Sequence, residues 1–97
     1  MNHNVISIGG KVIADPREVP GKMFVFRVRS VSHRNKDNPL FIDVKTFGNL
    51  CDICIDHVKK GTKINVTGRL ELREREVDGM KRYDYSVVAD SVDYDNF

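Results

Sequence analysis

A chain of 97 residues has room for one domain and one compact core. With 40% hydrophobic and 31% charged residues it is too apolar for a disordered chain. It holds no apolar run long enough for a membrane helix, so no membrane partner is expected. The formal charge is +2, but Asp90, Asp93 and Asp95 sit in the last eight residues, where no base occurs; the remainder sets 16 Lys and Arg against 11 Asp and Glu. A mildly basic body with an acidic end is an asymmetry of weak specificity by itself. Met1-Asn2-His3-Asn4 is not a basic stretch followed by an apolar block, so no signal peptide and a cytoplasmic chain are expected. Cys51 and Cys54 are then expected as thiols.

In chain order, Asn4 to Ile13 reads as a first strand with Val5, Ile6, Ile8, Val12 and Ile13, interrupted by Gly9-Gly10. Glycines inside a strand predict a bulge or sharp bend, of the kind that curls a strand between two halves of a barrel. Asp15-Pro16 breaks it, and Pro20-Gly21 marks a turn. Met23 to Ser32 is a second strand. Phe24, Phe26, Val28 and Ser30 alternate with Val25, Arg27, Arg29 and Val31, giving an apolar inner face and an outer face with two arginines. His33 to Pro39 is a polar loop with His33, Arg34 and Lys36. Leu40 to Phe47 is a third strand, in which Phe41, Asp43, Lys45 and Phe47 share a face.

Gly48-Asn49 can cap a helix, and Leu50 to Val58 is predicted helical. Leu50, Ile53, Cys54 and Val58 make its apolar stripe, beside Cys51 and Ile55. Lys59-Lys60-Gly61 ends it. Thr62 to Arg73 is a fourth strand, with Ile64, Val66, Gly68, Leu70 and Leu72 on one face and Lys63, Asn65, Thr67, Arg69, Glu71 and Arg73 on the other. Glu74 to Lys81 is a charged hairpin tip turning at Asp78-Gly79. Tyr83 to Val92 is the fifth strand, and Asp93-Tyr94-Asp95-Asn96-Phe97 follow it. Three strands, a short helix and two strands cannot make a parallel α/β sheet, because one helix cannot cover both faces. The order fits an all-β, five-stranded OB-fold Greek-key barrel with one short α-helix between strands 3 and 4. The barrel is expected to span residues 1–92, and residues 93–97 to form a short acidic end.

Chemistry-bearing motifs are sparse. Cys51-Asp52-Ile53-Cys54 is a CxxC at a helix start, where a thiol pKa can fall. Thioredoxin-like chemistry wants a βαβ context, and zinc wants two further ligands at matching spacing, which His57 alone does not supply. Burial as small hydrophobes is the favoured reading. His3, His33 and His57 are scattered. No Ser/His/Asp set and no Gly-rich phosphate loop before a helix occurs. No enzyme, no metal and no cofactor are expected.

Several segments in register resemble one family. Asn4-Val5-Ile6-Ser7-Ile8-Gly9-Gly10-Lys11-Val12 with Asp15-Pro16 is similar to the opening of bacterial single-stranded DNA-binding proteins. Phe41-Ile42-Asp43-Val44 with Phe47-Gly48-Asn49-Leu50 resembles their third strand and helix entry. Lys59-Lys60-Gly61, Val66-Thr67-Gly68-Arg69-Leu70, Lys81-Arg82-Tyr83 and Val87-Val88-Ala89-Asp90-Ser91-Val92 resemble the rest. The resemblance implies a non-catalytic homotetramer, with a homodimer as the alternative, and a cytoplasmic, nucleoid-associated role on single-stranded DNA in replication, recombination or repair. It departs from the family in three ways. Tryptophan stacking positions are absent: one falls on His33 or Arg34, Phe41 and Phe47 keep aromatics, and another falls near Arg75. The long flexible tail is absent too. The acidic tip that recruits replication and repair proteins is represented at most by Asp93-Tyr94-Asp95-Asn96-Phe97.

A protein that holds single strands without sequence preference needs cations along a groove and flat side chains for base stacking. The expected DNA-binding residues are Arg27, Arg29, Lys63, Arg69 and Arg73 on strands, His33, Arg34, Lys36, Arg75, Lys81 and Arg82 in loops, and Phe41 and Phe47 as platforms, with Tyr83 or Tyr85 as further platforms. The competing expectation is a primosome-type accessory or protein-interaction OB module with weakened DNA binding.

Overall fold

A computed structural model describes residues 3–32, 34 and 36–95. Its strands are β1 (Ile6–Val12), β2 (Arg17–Val19), β3 (Met23–Ser30), β4 (Leu40–Phe47), β5 (Lys63–Val77) and β6 (Met80–Asp95), with α1 (Gly48–His57) between β4 and β5. The pairings β1–β5, β5–β6, β6–β4, β4–β3 and β3–β1 return to their start, so five strands close a ring. The β4–β6 pairing is parallel and the others are antiparallel. This is the expected OB barrel. It carries one addition: Arg17–Val19 forms a short strand on β3, so the helix follows the fourth strand rather than the third.

β1 serves two neighbours. It pairs with β5 from Ile6 to Lys11 and with β3 at Lys11 and Val12. The handover falls where Gly10 lies against β3, and a Cβ there would stand 2.2 Å from the Arg29 carbonyl oxygen. The bend expected from Gly9-Gly10 is therefore a close crossing of backbones. Alternation fills the interior with Ile8, Val12, Phe24, Phe26, Val28, Ile42, Val44, Ile64, Val66 and Val87. The Thr46 hydroxyl, also buried, donates to the Phe24 carbonyl oxygen at 3.0 Å.

α1 packs over this interior with Cys51, Cys54 and Val58 buried and Leu50 and Ile55 partly so. Ile53, placed on the stripe by its spacing, is exposed instead. The helix starts at Gly48, its N-cap is Phe47 without a side-chain cap, and the buried series 51, 54, 58 sets a phase that turns position 53 outward.

The long hairpin is more regular than its composition suggests. β5 and β6 stay paired to Val77↔Met80, and Asp78 (φ 52°) with Gly79 (φ 76°) make the two-residue turn. The charged residues from Glu74 to Lys81, expected as a loop tip, are thus mostly strand. Beyond Leu72 and Tyr85 neither strand has a second neighbour, so the hairpin leaves the barrel as a two-stranded arm. At the other end β6 continues through Asp95, so Asp93 and Asp95 are strand residues.

Candidate nucleic-acid interface

Strand register decides which side chains share the outer surface. Arg17↔Val25↔Lys45↔Val88↔Arg69 forms one row across β2, β3, β4, β6 and β5. Arg27↔Asp43↔Ser86↔Glu71 forms the next. Arg29↔Phe41 follows, and Arg73↔Asp84 and Arg75↔Arg82 carry the face onto the arm. Eight cations (Arg17, Arg27, Arg29, Lys45, Arg69, Arg73, Arg75, Arg82) thus share one face with three carboxylates, Asp43, Glu71 and Asp84. Val25 and Val88 lie buried beneath the long side chains of this face, outside the main core.

Phe41, Arg27, Lys45, Arg73 and Arg75 border an open groove of about 830 Å³. A second groove, about 720 Å³, is bordered by Lys11, Arg29, Lys63, Asn65 and Tyr94 together with the carboxylates Asp93 and Asp95, with Gly9 and Gly10 among its lining residues. Arg29, which lines the second groove, pairs directly with Phe41 of the first, so the two adjoin as one trough along the barrel, rich in cations over the first groove and mixed in charge over the second.

Phe41 and Phe47 are 44% and 47% exposed, which a stacking platform requires. Both are on the outer face of β4, six residues apart, or about 20 Å along the strand. The Arg27 guanidinium stands 5.8 Å from the Phe41 ring centre, within cation–π range. Phe47 sits at the junction of β4 and α1, opposite Met23.

The expected residues divide as follows. Arg27, Arg29, Phe41, Arg69, Arg73, Arg75 and Arg82 share the outer face, and Lys63 joins them through the second groove. Arg34 and Lys36 are exposed in the β3–β4 loop. His33 lies outside the described residues. Lys81 does not join the trough: it pairs with Glu76 on the opposite face of the arm and bonds Glu74 at 3.4 Å. Tyr83 and Tyr85 are exposed and stand across from Glu74 and Leu72, on the strand face that carries Lys81, and both are also among the residues lining the first groove. Sequence reasoning missed Arg17, Lys11 and Lys45. The alternation of β4 already placed Lys45 beside Phe41; Arg17 gave no signal, because its strand is three residues long.

The CxxC is buried in the structure rather than presented to solvent. Cys51 and Cys54 are free and buried. Burial raises the Cys51 thiol pKa, with the negative charges of Asp52 and Glu18 adding to it. Burial, followed by the neighbouring Cys51, pushes Cys54 up to about 11. Among the described residues no cluster of three His, Cys, Asp or Glu side chains could hold a metal ion, and no helix is long and apolar enough to cross a membrane. Both thiols should therefore resist alkylation of the native protein at pH 8 and react fully in denaturant, as read by mass spectrometry. The linkage has one sign: the unfolded thiol ionises near 9 and folded Cys54 near 11, so its contribution to stability is complete below pH 9 and is lost as pH rises through that interval.

A model of the single-strand binding protein family matches residues 3–95. A single-stranded DNA-binding protein of Fusobacterium nucleatum is 30% identical over 101 residues, which cover 94% of this chain and 66% of that one. One from Clostridium tetani is 32% identical over 100 residues, covering 94% and 69% respectively. The chain therefore spans about two thirds of the length of these relatives. Among solved structures, the small single-stranded DNA-binding protein from Streptomyces coelicolor aligns with a TM-score of 0.80 at 21% identity, over 98% of this chain and 96% of that one. The second single-stranded DNA-binding protein of Mycobacterium smegmatis gives 0.79 at 25% identity, over 97% and 90%. Barrel, trough and sequence agree: the chain belongs to the single-strand binding protein family.

Proposed function

We propose that this chain binds and protects single-stranded DNA without sequence preference during replication, recombination or repair, acting by binding and not by catalysis. The observation that carries this reading is the trough. Cations from five strands line one face of the barrel and arm, with Phe41 exposed among them. The cations take the phosphates, and Phe41 and Phe47 offer ring faces to unpaired bases. Arg27, Arg29, Arg69, Arg73, Arg75 and Arg82 are the proposed phosphate contacts on the barrel and arm. Lys63 extends the path into the second groove, and Arg34 and Lys36 extend it from the β3–β4 loop. A cytoplasmic, nucleoid-associated setting follows from this role.

Self-association is part of the proposal, with a homotetramer as the expected form. From Ile6 to Ile8, β1 pairs with β5 on one side and has no strand on the other among the described residues. Such an edge offers backbone donors and acceptors to a second copy.

Fluorescence anisotropy with labelled oligo-dT, against duplex of equal length and across a salt titration, tests the function. The single strand should bind preferentially, and log affinity should fall by roughly 0.7 per log unit of salt for each phosphate neutralised. Equal binding of duplex, or strong binding that ignores salt, would remove the proposal's basis.

A further inference from the structure

The three carboxylates that share the outer face with the eight cations, Asp43, Glu71 and Asp84, are all engaged by cations of that face, while Asp93 and Asp95 line the second groove. Asp43 accepts from Arg27 at 3.1 Å, Glu71 bonds Lys45 at 3.3 Å, and Asp84 pairs with Arg75. Each carboxylate lies on the face where phosphates would have to lie, and each pair is partly exposed, so solvent and ligand can reach it. Arg27, held by Asp43, is also the group standing over the Phe41 ring.

We infer that Asp43, Glu71 and Asp84 are resident competitors for the cations of the trough, so that DNA binding is an exchange of carboxylate for phosphate. The inference rests on the proposed function and concerns its regulation. A phosphate arriving at Arg27, Lys45 or Arg75 meets a cation already neutralised. To bind, it displaces a carboxylate, which then stands uncompensated beside the strand, repels it and draws a cation from solution. The displaced pairs are exposed and individually weak, so the exchange is shallow in free energy and readily reversed. At Phe41 the exchange has a second effect. A base stacking on the ring face under Arg27 must lift the guanidinium, and Asp43 resists that movement. The result is a grip set below its electrostatic maximum, from which a strand can be taken by another protein.

The test removes the negative charge without changing side-chain shape: Asp43→Asn, Glu71→Gln and Asp84→Asn, singly and together. Glu76→Gln is the control, on the same arm but on its other face. Affinity for oligo-dT is read by anisotropy across salt, with thermal unfolding of each variant as the check on folding. Each trough variant should bind roughly 2- to 5-fold more tightly at low salt, and the triple variant roughly 10-fold or more, because an exposed pair of this kind is worth up to about 1 kcal/mol. The salt slope of the triple variant should be steeper by roughly 0.7 for each cation set free. Glu76→Gln should change neither reading appreciably. A triple variant with wild-type affinity and slope, or a control that tightens binding equally, overturns the inference and leaves the DNA-binding role intact. Failure of both wild type and triple variant to bind oligo-dT at low salt overturns the role and this inference together.

Discussion

Gly68→Ala will cost this protein roughly 3 kcal/mol, and its melting temperature will fall by roughly 12–24 °C. The residue faces Ala89 at the irregularity where Thr67 pairs with Ser91 and Gly68 with Ala89, leaving Asp90 as the extra residue of β6. A Cβ on Gly68 would lie 2.0 Å from the Val88 carbonyl oxygen and 2.9 Å from its carbonyl carbon. Both atoms are backbone inside the barrel wall, so neither can swing aside as the end of a side chain would. The methyl must either push β6 off β5 or break the ladder next to the bulge. Gly21 provides the contrast: it has φ +95° with nothing within 4 Å of an added Cβ. Gly21→Ala pays only for left-handed backbone, about 1–2 kcal/mol. Thermal and urea unfolding of the two variants measure the difference. A Gly68→Ala protein melting within two or three degrees of wild type would mean that the close approach is not rigid.

Phe41→Ala will weaken binding of oligo-dT by about 5- to 150-fold while leaving the salt slope nearly unchanged. The ring is 44% exposed and lies outside the buried cluster, so its loss takes little from the fold. What it removes is a flat apolar surface between Arg27 and the arm. Stacking releases few counterions, so affinity falls at every salt concentration by a similar factor. Arg73→Ala should do the reverse, with a loss greatest at low salt that fades as salt rises and a shallower slope, since it deletes a phosphate contact. Anisotropy at four or five salt concentrations separates the two patterns. A Phe41→Ala protein that binds like wild type would eliminate the ring as a platform and shift the burden to Phe47.

The fold was legible because alternation is strong where a strand has one wet face. β4 and β5 announce themselves through Ile42, Val44, Thr46 and through Ile64, Val66, and these side chains are buried as expected. Asp78-Gly79 named its own turn. The arm was not legible as strand, because a ribbon wetted on both faces has no apolar side, and Glu74 to Lys81 reads like loop. The strand face of Lys81 and the two tyrosines was hidden for a related reason. The two-residue turn fixes Glu76 opposite Lys81, and the extra residue Asp90 shifts the phase of β6 relative to its start. Residue types alone cannot reveal either offset. Arg17 was hidden because three residues are too few for a period to show. The trough itself was half legible: the sequence could name arginines on alternating faces, but only the closed ring brings Arg27, Phe41 and Arg75 to the same groove.

The arm divides the proposed grip into two mechanical parts. Phe41, Arg27 and Lys45 stand on strands braced on both sides, whereas Arg75 and Arg82 stand on a ribbon whose only neighbours are each other. A two-stranded ribbon has little stability of its own, so it can loosen without drawing the barrel after it. Release of bound polymer can accordingly begin at the tip and proceed inward, one contact at a time, each step small enough for thermal motion to supply.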